Sequence, residues 1–390
     1  MVPLLCLAIA FLYRGTDVFG SLYSAILVYP MVCLASTIWS VNPYDTFKYS
    51  SLLLLYILAI ASICQVLEID VFCRIIVKVL VFLMLASVAM AVVFPRYGIH
   101  QLDDAAAGAH AGEWRGVFGH KNALGSAAAV SVFSFLFFGR FVGGSLGLRL
   151  MCIVAAITCL IFAHSAGSLV ALCVVLVYYY LTRAVPVSGN ILLLIVFGAA
   201  VSFIAFFPFI EDIAVVVGRD ATLTGRTDIW PIVLDAIWQK PLLGFGYAAA
   251  TMDFIQPLLV REVGPDAVSA HNGYLDVLLG TGAVGLAVLL FCISSVIRRG
   301  IDRVKMSSGP ERDCFMLLVS FPIFSVFHSF VEVASMAGVQ DVLGALNFLS
   351  LTAIPLYLQR HPGNYRSVTS AANRGSAARF FTIGRRGAAG

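Results

Sequence analysis

Charge is what this sequence has least of: Asp, Glu, Lys and Arg make up 12% of 390 residues, against 60% hydrophobic. A soluble domain carries about 25% charged residues. A chain of this length with half that charge cannot cover a water-facing surface, which excludes a soluble enzyme. Disorder is excluded as well, because it needs low hydrophobicity and high net charge. The net charge is only +4, so the distribution of basic residues matters more than their sum, and no nucleic-acid partner is expected. The nine cysteines (Cys6, Cys33, Cys64, Cys73, Cys152, Cys159, Cys173, Cys292 and Cys314) contain no C-x-x-C pair. All lie in or beside apolar runs and read as small hydrophobes, neither a disulfide framework nor a metal site. Asp103, Asp104 and Glu113 match no calcium-loop spacing, and no metal or cofactor is expected. Met1–Tyr13 lacks the basic start and the small-residue exit of a cleavable signal peptide.

What is there is apolar runs. About 20 apolar residues cross a bilayer, and open strands cannot, because their backbone groups would go unpaired. The sequence predicts an all-α polytopic membrane protein of about 11–12 helices, with spans at 1–13, 18–39, 50–67, 75–94, 123–139, 149–164, 168–182, 190–209, 273–297, 314–331 and 338–358. Four regions follow: N-terminal helices over 1–209 with an outer loop at 95–122, a large outer loop at 210–272, C-terminal helices over 273–358, and a basic tail, 359–390, predicted to be disordered. Basic residues orient the bundle. Arg360, Arg366, Arg374, Arg379, Arg385 and Arg386 in the tail, and Arg298, Arg299, Arg303, Lys305 and Arg312, mark the cytoplasmic side. Both long loops then face outward. With the tail inside, Met1 would lie outside, and the short first run suggests a further upstream helix or a different start. His100, His110, His120, His164, His271 and His328 fall on or near the outer face, and only His361 inside.

The large outer loop contains Gly225-Arg226-Thr227-Asp228-Ile229-Trp230, then Pro241-Leu-Leu-Gly-Phe-Gly246. Ile229, Val233, Ala236 and Ile237 recur at helical spacing, with Pro231 tolerated in the first turn. Thr227 or Asp228 can cap the start, and Gly244 and Gly246 follow the end. An amphipathic helix lying over the bundle is expected. Arg226 at its N-terminal edge, with the exposed amides, could hold an anion, or it could pair with Asp228 or Asp220. Ala270-His271-Asn272-Gly273-Tyr274 leads into the span holding Gly280, Gly282 and Gly285. His271 at that boundary could act as a general base, or His271 or Asn272 could merely cap a helix. The glycines read as close helix packing. Trp114, Arg115, His120 and Lys121 sit beside a span, where they could hold phosphate or anchor the interface. The Ser165–Ser168 turn has no G-x-S-x-G elbow and reads as a turn. His328 and Glu332 place ionisable groups close to the same outer face.

These motifs occur together and in order. Arg115-Gly-Val-Phe-Gly-His120-Lys121-Asn122-Ala-Leu-Gly125, the Ser165/Ser168 turn, Gly225-Arg226-x-x-x-Trp230, Pro241–Gly246, His271-Asn272-Gly-Tyr274-Leu and Glu332 resemble the O-antigen ligase and polysaccharide polymerase superfamily, and within it exopolysaccharide production proteins of the ExoQ type. The resemblance spans roughly residues 18–358. It implies a glycosyltransferase of the bacterial inner membrane, with a helical GT-C-like fold and a large periplasmic loop containing amphipathic helices. It also implies an undecaprenyl-diphosphate-linked oligosaccharide donor, a saccharide acceptor, and no metal. Arg226 matches the loop arginine that engages the donor diphosphate, and His271 the histidine that activates the acceptor hydroxyl. Family ligases often carry an Arg just after the serine of the 163–169 turn, where this chain has Ala166. That departure favours a polymerase over a ligase and leaves the second cationic role to Arg115, His120 or Lys121. His120, Lys121, Asn122, Trp230, Asn272, Tyr274 and Glu332 are expected to line the substrate. Flippase and chain-length or export proteins are the expected partners. A solute transporter, the reading from another class, should show inverted repeats and broken helices at mid-membrane, and the sequence has no convincing repeat.

Overall fold

The computed structural model describes residues 24–104, 110–184, 198, 224–264, 267, 269–330, 332, 336 and 338–360. The side chains of residues 24, 25 and 224–227 are outside that description. The expected span 1–13, all of 190–209 but residue 198, and the basic tail beyond Arg360 lie outside the described residues as well. Among the described residues the fold is all-helical, with one isolated antiparallel bridge, Ile99 to Trp114. Helices α1 (Ser24–Ala35), α2 (Pro43–Val66), α3 (Ile69–Val93), α4 (Lys121–Phe137), α5 (Leu146–Phe162) and α6 (Ala166–Ala184) form the first part. After them come α7 (Thr224–Gln239), α8 (Gln256–Glu262), α9 (Gly273–Met306), α10 (Gly309–His328) and α11 (Val342–Arg360). Five of these, α2, α3, α6, α9 and α11, are long and apolar enough to cross a membrane, and three shorter apolar helices accompany them. The protein is a multi-pass membrane protein.

The bundle is arranged around α10, every residue of which from Cys314 to His328 is buried. It packs against α9, α6, α11 and α3, while α4 packs against α5 and α6. Chain reversals gather on two faces. On one, Arg140 bridges Asp70 at 3.1 Å and Asp313 at 3.2 Å, Arg303 meets Glu311, and Arg360 caps the carbonyls of Cys64 and Leu67. This basic face holds the 67–68, 138–145 and 307–308 connections. The other, the loop face, collects residues 36–42, 94–104, 110–120, 163–165 and the described residues of 240–272.

α9 departs from the expected span. Its 34 residues form two helices meeting at a kink, and the second, residues 283–306, is about 36 Å at 1.5 Å per residue, longer than a hydrocarbon core of about 30 Å. Arg298, Arg299, Arg303 and Lys305 ride on its last turns rather than in a loop. It is also broken at Gly282, whose φ of 66° is non-helical. The segment 241–246 enters that break. Phe245 and Gly246 donate to the carbonyls of Leu279 and Gly280 at 2.7 and 2.9 Å, and Ala283 and Val284 donate to those of Pro241 and Leu242. Thus Gly280 and Gly282 admit a loop backbone, not the neighbouring helix expected of them. The same segment is gripped from its other side: Trp39 Nε1 donates to the Leu243 carbonyl at 3.0 Å, and Thr46 Oγ1 to that of Tyr247 at 3.0 Å. A Cβ on Gly282 would run into the Leu242 carbonyl, and its φ costs a side chain about 1–3 kcal/mol before any clash. Gly282→Ala should therefore lower the melting temperature of the detergent-solubilised protein, read by intrinsic fluorescence. An unchanged melting temperature would show that the break carries no packing role.

Over the loop face α7 buries Ile229, Val233, Ala236 and Ile237, the stripe its spacing indicates. They form a second core with Phe245, Ala250, Ile255, Leu259, Ala270 and Leu279. Two expectations are corrected. α7 begins at Thr224, so neither Thr227 nor Asp228 is its cap, and Pro231 lies in the interior, past the first turn. Gly244 and Gly246 follow the helix with φ of 66° and 110°, in the left-handed region that glycine alone enters without strain.

Candidate functional site

The polar residues of the loop face converge from four elements. α9 starts at Gly273 because Asn272 caps it, its Oδ1 accepting from the N–H groups of Tyr274 and Leu275 at 3.0 and 3.2 Å. Asn272 is thus the cap, and His271 is freed from that task. His271 stands just outside the helix at φ 46°, a conformation uncommon for a side-chain-bearing residue. Gly273 N donates to the Ser329 carbonyl at 2.7 Å, Tyr274 Oη to that of Val326 at 2.8 Å, and the Tyr274 ring stacks on Phe330. These contacts dock the start of α9 on the end of α10 and bring Glu332 to His271: Oε2 lies 3.7 Å from Nδ1. Glu332 Oε1 accepts from Asn122 Nδ2 at the start of α4. Three residues remote in sequence therefore form one line, Asn122–Glu332–His271.

α7 joins this line through Trp230, whose Nε1 donates to the carbonyl of Ala270, the residue before His271, at 3.0 Å. Arg226 lies in the first turn of α7, one turn from Trp230. Helix N-termini present unpaired N–H groups that favour anions.

The first loop forms a second cluster. Glu113 meets Lys121 Nζ at 2.7 Å, His110 Nδ1 at 3.2 Å and His164 Nδ1 at 3.5 Å. Arg115 is held inside its own loop, by Asp104 at 2.9 Å and by the carbonyls of Tyr97 and Arg96 at 2.8 and 3.1 Å. The Gln101 N–H and then the Arg115 guanidinium hold the Asp104 carboxyl below its usual range. Of the three candidate cations of this loop, Arg115 and Lys121 are therefore engaged by acids, and burial disfavours a charge on the third, His120. The imidazoles of His100, His110 and His120 pack with centroids 5.4–6.1 Å apart. Burial lowers His100, and it pushes His120 down to about 4. Among the described residues no group of three or more His, Cys, Asp or Glu is arranged to hold a metal ion.

The serine turn reaches the line through His328, whose carbonyl accepts from Glu332 N at 3.0 Å. Ser168 Oγ bonds Ser165 at 2.8 Å and His328 Nε2 at 3.3 Å, all buried. The His328 imidazole thus faces the serine turn while its carbonyl holds the backbone of Glu332. Sequence reasoning singled out Asn122, His271 and Glu332 but not their contact, and it passed over His100 and His110, whose spacing carries no signal.

Residues 150–290 match the family model described as O-antigen ligase. The chain is also 29% identical over 236 residues to the exopolysaccharide production protein ExoQ of Rhizobium meliloti (strain 1021), an overlap of 56% of this chain and 53% of that protein. It spans about half the length of that curated relative. The matched family segment carries the serine turn, Arg226, Trp230, His271 and the broken start of α9; Asn122 and Glu332 lie outside it. The all-helical membrane bundle is thus similar, over residues 150–290, to the O-antigen ligase family model, and over 236 residues to an exopolysaccharide production protein.

Proposed function

We propose that the protein is a polysaccharide polymerase of the inner membrane, which joins undecaprenyl-diphosphate-linked oligosaccharide repeats on the periplasmic face. The observation that carries this reading is the His271–Glu332 pair at the membrane-boundary end of α9, with the start of α7 tied to it through Trp230. Glu332 lies 3.7 Å from Nδ1, and its closing on that nitrogen would leave Nε2 for the acceptor. Nε2 takes the proton of the acceptor hydroxyl, the oxygen attacks the anomeric carbon, and the bond from that carbon to the diphosphate oxygen breaks. Direct attack inverts the anomeric centre. Arg226 and the N–H groups of α7 receive the charge that develops on the leaving diphosphate. Arg115 serves as a second donor once the diphosphate displaces Asp104 from it. His120, Lys121, Asn122, Trp230, Asn272 and Tyr274 surround the sugars. The loop-face setting of these groups and the opposite basic face support the periplasmic orientation.

Transfer of finished polysaccharide to lipid A core or another acceptor is the second reading, favoured by the ligase description of the matched segment. The lipid-linked species in a deletion strain separate the two. A strain lacking a polymerase accumulates single-repeat lipid-linked units, whereas one lacking a ligase accumulates long lipid-linked chains. Normal lipid-linked pools and normal polymer in that strain would refute both.

A further inference from the structure

The first two backbone N–H groups of α4 are capped in an unusual way. Helix N-termini are ordinarily capped by Ser, Thr, Asp or Asn, whose oxygens accept over a wide pH range. Here Lys121 N donates to His100 Nε2 at 3.2 Å, and Asn122 N donates to His120 Nδ1 at 3.2 Å. Both acceptors are imidazole lone pairs. An imidazole nitrogen accepts only while unprotonated; in the imidazolium both nitrogens are donors. Protonation would remove both caps and set positive charge at the helix end that disfavours it. The residue fixed by the second cap is Asn122, whose side chain holds Glu332, and Glu332 holds His271.

We infer that His100 and His120 are positioning residues, which latch the start of α4 and through Asn122 and Glu332 hold His271 in place only while both imidazoles are neutral. The consequence for catalysis rests on His271 being the base; the latch itself does not. Every charged group facing the pair favours one state or the other. Asp104 lies 3.5 Å from His100 Nδ1 and draws a proton onto that ring, and Glu332 does the same for His120. Arg115, Lys121 and the neighbouring ring of His110 oppose a charge there. Glu113 meets His110 and His164 and is itself tied to Lys121. Burial outweighs the carboxylates, since His120 falls from 6.5 to about 4 and His100 moves in the same direction. A group lowered on latching binds more protons when unlatched, so the latch is complete above about pH 6.5. It weakens as pH falls from there towards about 4, by up to tenfold per pH unit for one imidazole.

Amide hydrogen exchange of the full-length protein in nanodiscs, read by mass spectrometry over pH 7.5 to 4.5 and corrected for intrinsic exchange, tests this without any substrate. Protection of the first turn of α4 should fall at least tenfold across that range. The start of α5, capped by Ser145, should hold its protection. In the double variant His100→Gln/His120→Asn, amide oxygens replace the two nitrogens, and protection should become flat with pH. In a transfer assay the same variant should move the acid limb of the pH–rate profile to lower pH. A wild-type first turn whose protection does not change with pH overturns the latch, as does a double variant that still loses protection on acidification. If the exchange results hold but no saccharide transfer is found, the latch stands and the functional reading fails.

Discussion

His271→Ala should slow transfer by about 10²–10⁴-fold in a purified assay with a lipid-linked donor, the range a positioned general base contributes. The size of the loss follows from how the imidazole is held. Its Nδ1 faces Glu332 at 3.7 Å, longer than a hydrogen bond, and catalytic contacts of this kind shorten when substrate arrives. A carboxylate at Nδ1 keeps the proton there and leaves Nε2 as the acceptor of the hydroxyl proton. The positive φ of His271 is sustained by Asn272, which starts α9 immediately afterwards, and by the docking of Gly273 on Ser329. Removing the side chain therefore deletes the base and leaves the backbone around it in place. If the proposed donor is held by α7, its binding should be little changed, and the loss should appear in the single-turnover rate. Glu332→Gln should lower the rate less, since a side-chain amide can still accept from Nδ1–H but supplies no charge to the imidazolium that forms. A His271→Ala protein that keeps more than a tenth of the wild-type rate would remove His271 from the chemistry.

The helices were legible because a bilayer imposes one requirement, a run of apolar residues, and the sequence displays such runs plainly. Where α9 ends was not. Arg298 and Arg299 read as the edge of a loop, yet Ile297, Ile301 and Val304 are buried and keep the helical phase beyond the lipid. Hydropathy registers the charge and misses the phase. The start of α7 failed for a related reason: Thr227 and Asp228 have the chemistry of a cap, but a capping residue also needs non-helical backbone, and these two lie inside the helix. The break at Gly282 could not be foreseen from a glycine alone, because its meaning lies in the 241–246 segment that fills it. In the site, the resemblance supplied the residue types and their order. What joins Asn122, Glu332 and His271 is the docking of α9 on α10 and of both near the start of α4, which tertiary packing sets and no local pattern records. The imidazole caps of α4 were hidden in the same way, since one of them comes from twenty-one residues upstream.

Arg226→Ala should reduce the rate by about a hundred- to a thousand-fold, or about 2.7–4 kcal/mol of barrier, the loss typical when one preorganised donor to a developing charge is removed. Two features make this position hard to replace. In the proposed reading Arg226, in the first turn of α7, would act together with helix N–H groups, which favour an anion. Trp230, one turn on, ties α7 to the backbone next to His271, so this end of α7 and the base are joined through one hydrogen bond. Neither of the other cations near the proposed site can substitute freely. Arg115 would have to leave Asp104 and Lys121 would have to leave Glu113. Freeing a buried, paired ammonium such as Lys121, which is 7% exposed, strands its carboxylate partner in a poorly solvated place. Arg226→Lys should recover only a small part of the rate, because an ammonium is a single point charge and cannot grip two phosphate oxygens in one plane. The same substitution should leave the melting temperature unchanged, which separates lost chemistry from lost folding. A single-turnover rate for Arg226→Ala within threefold of wild type would show that the leaving diphosphate is stabilised elsewhere and would move the donor site away from α7.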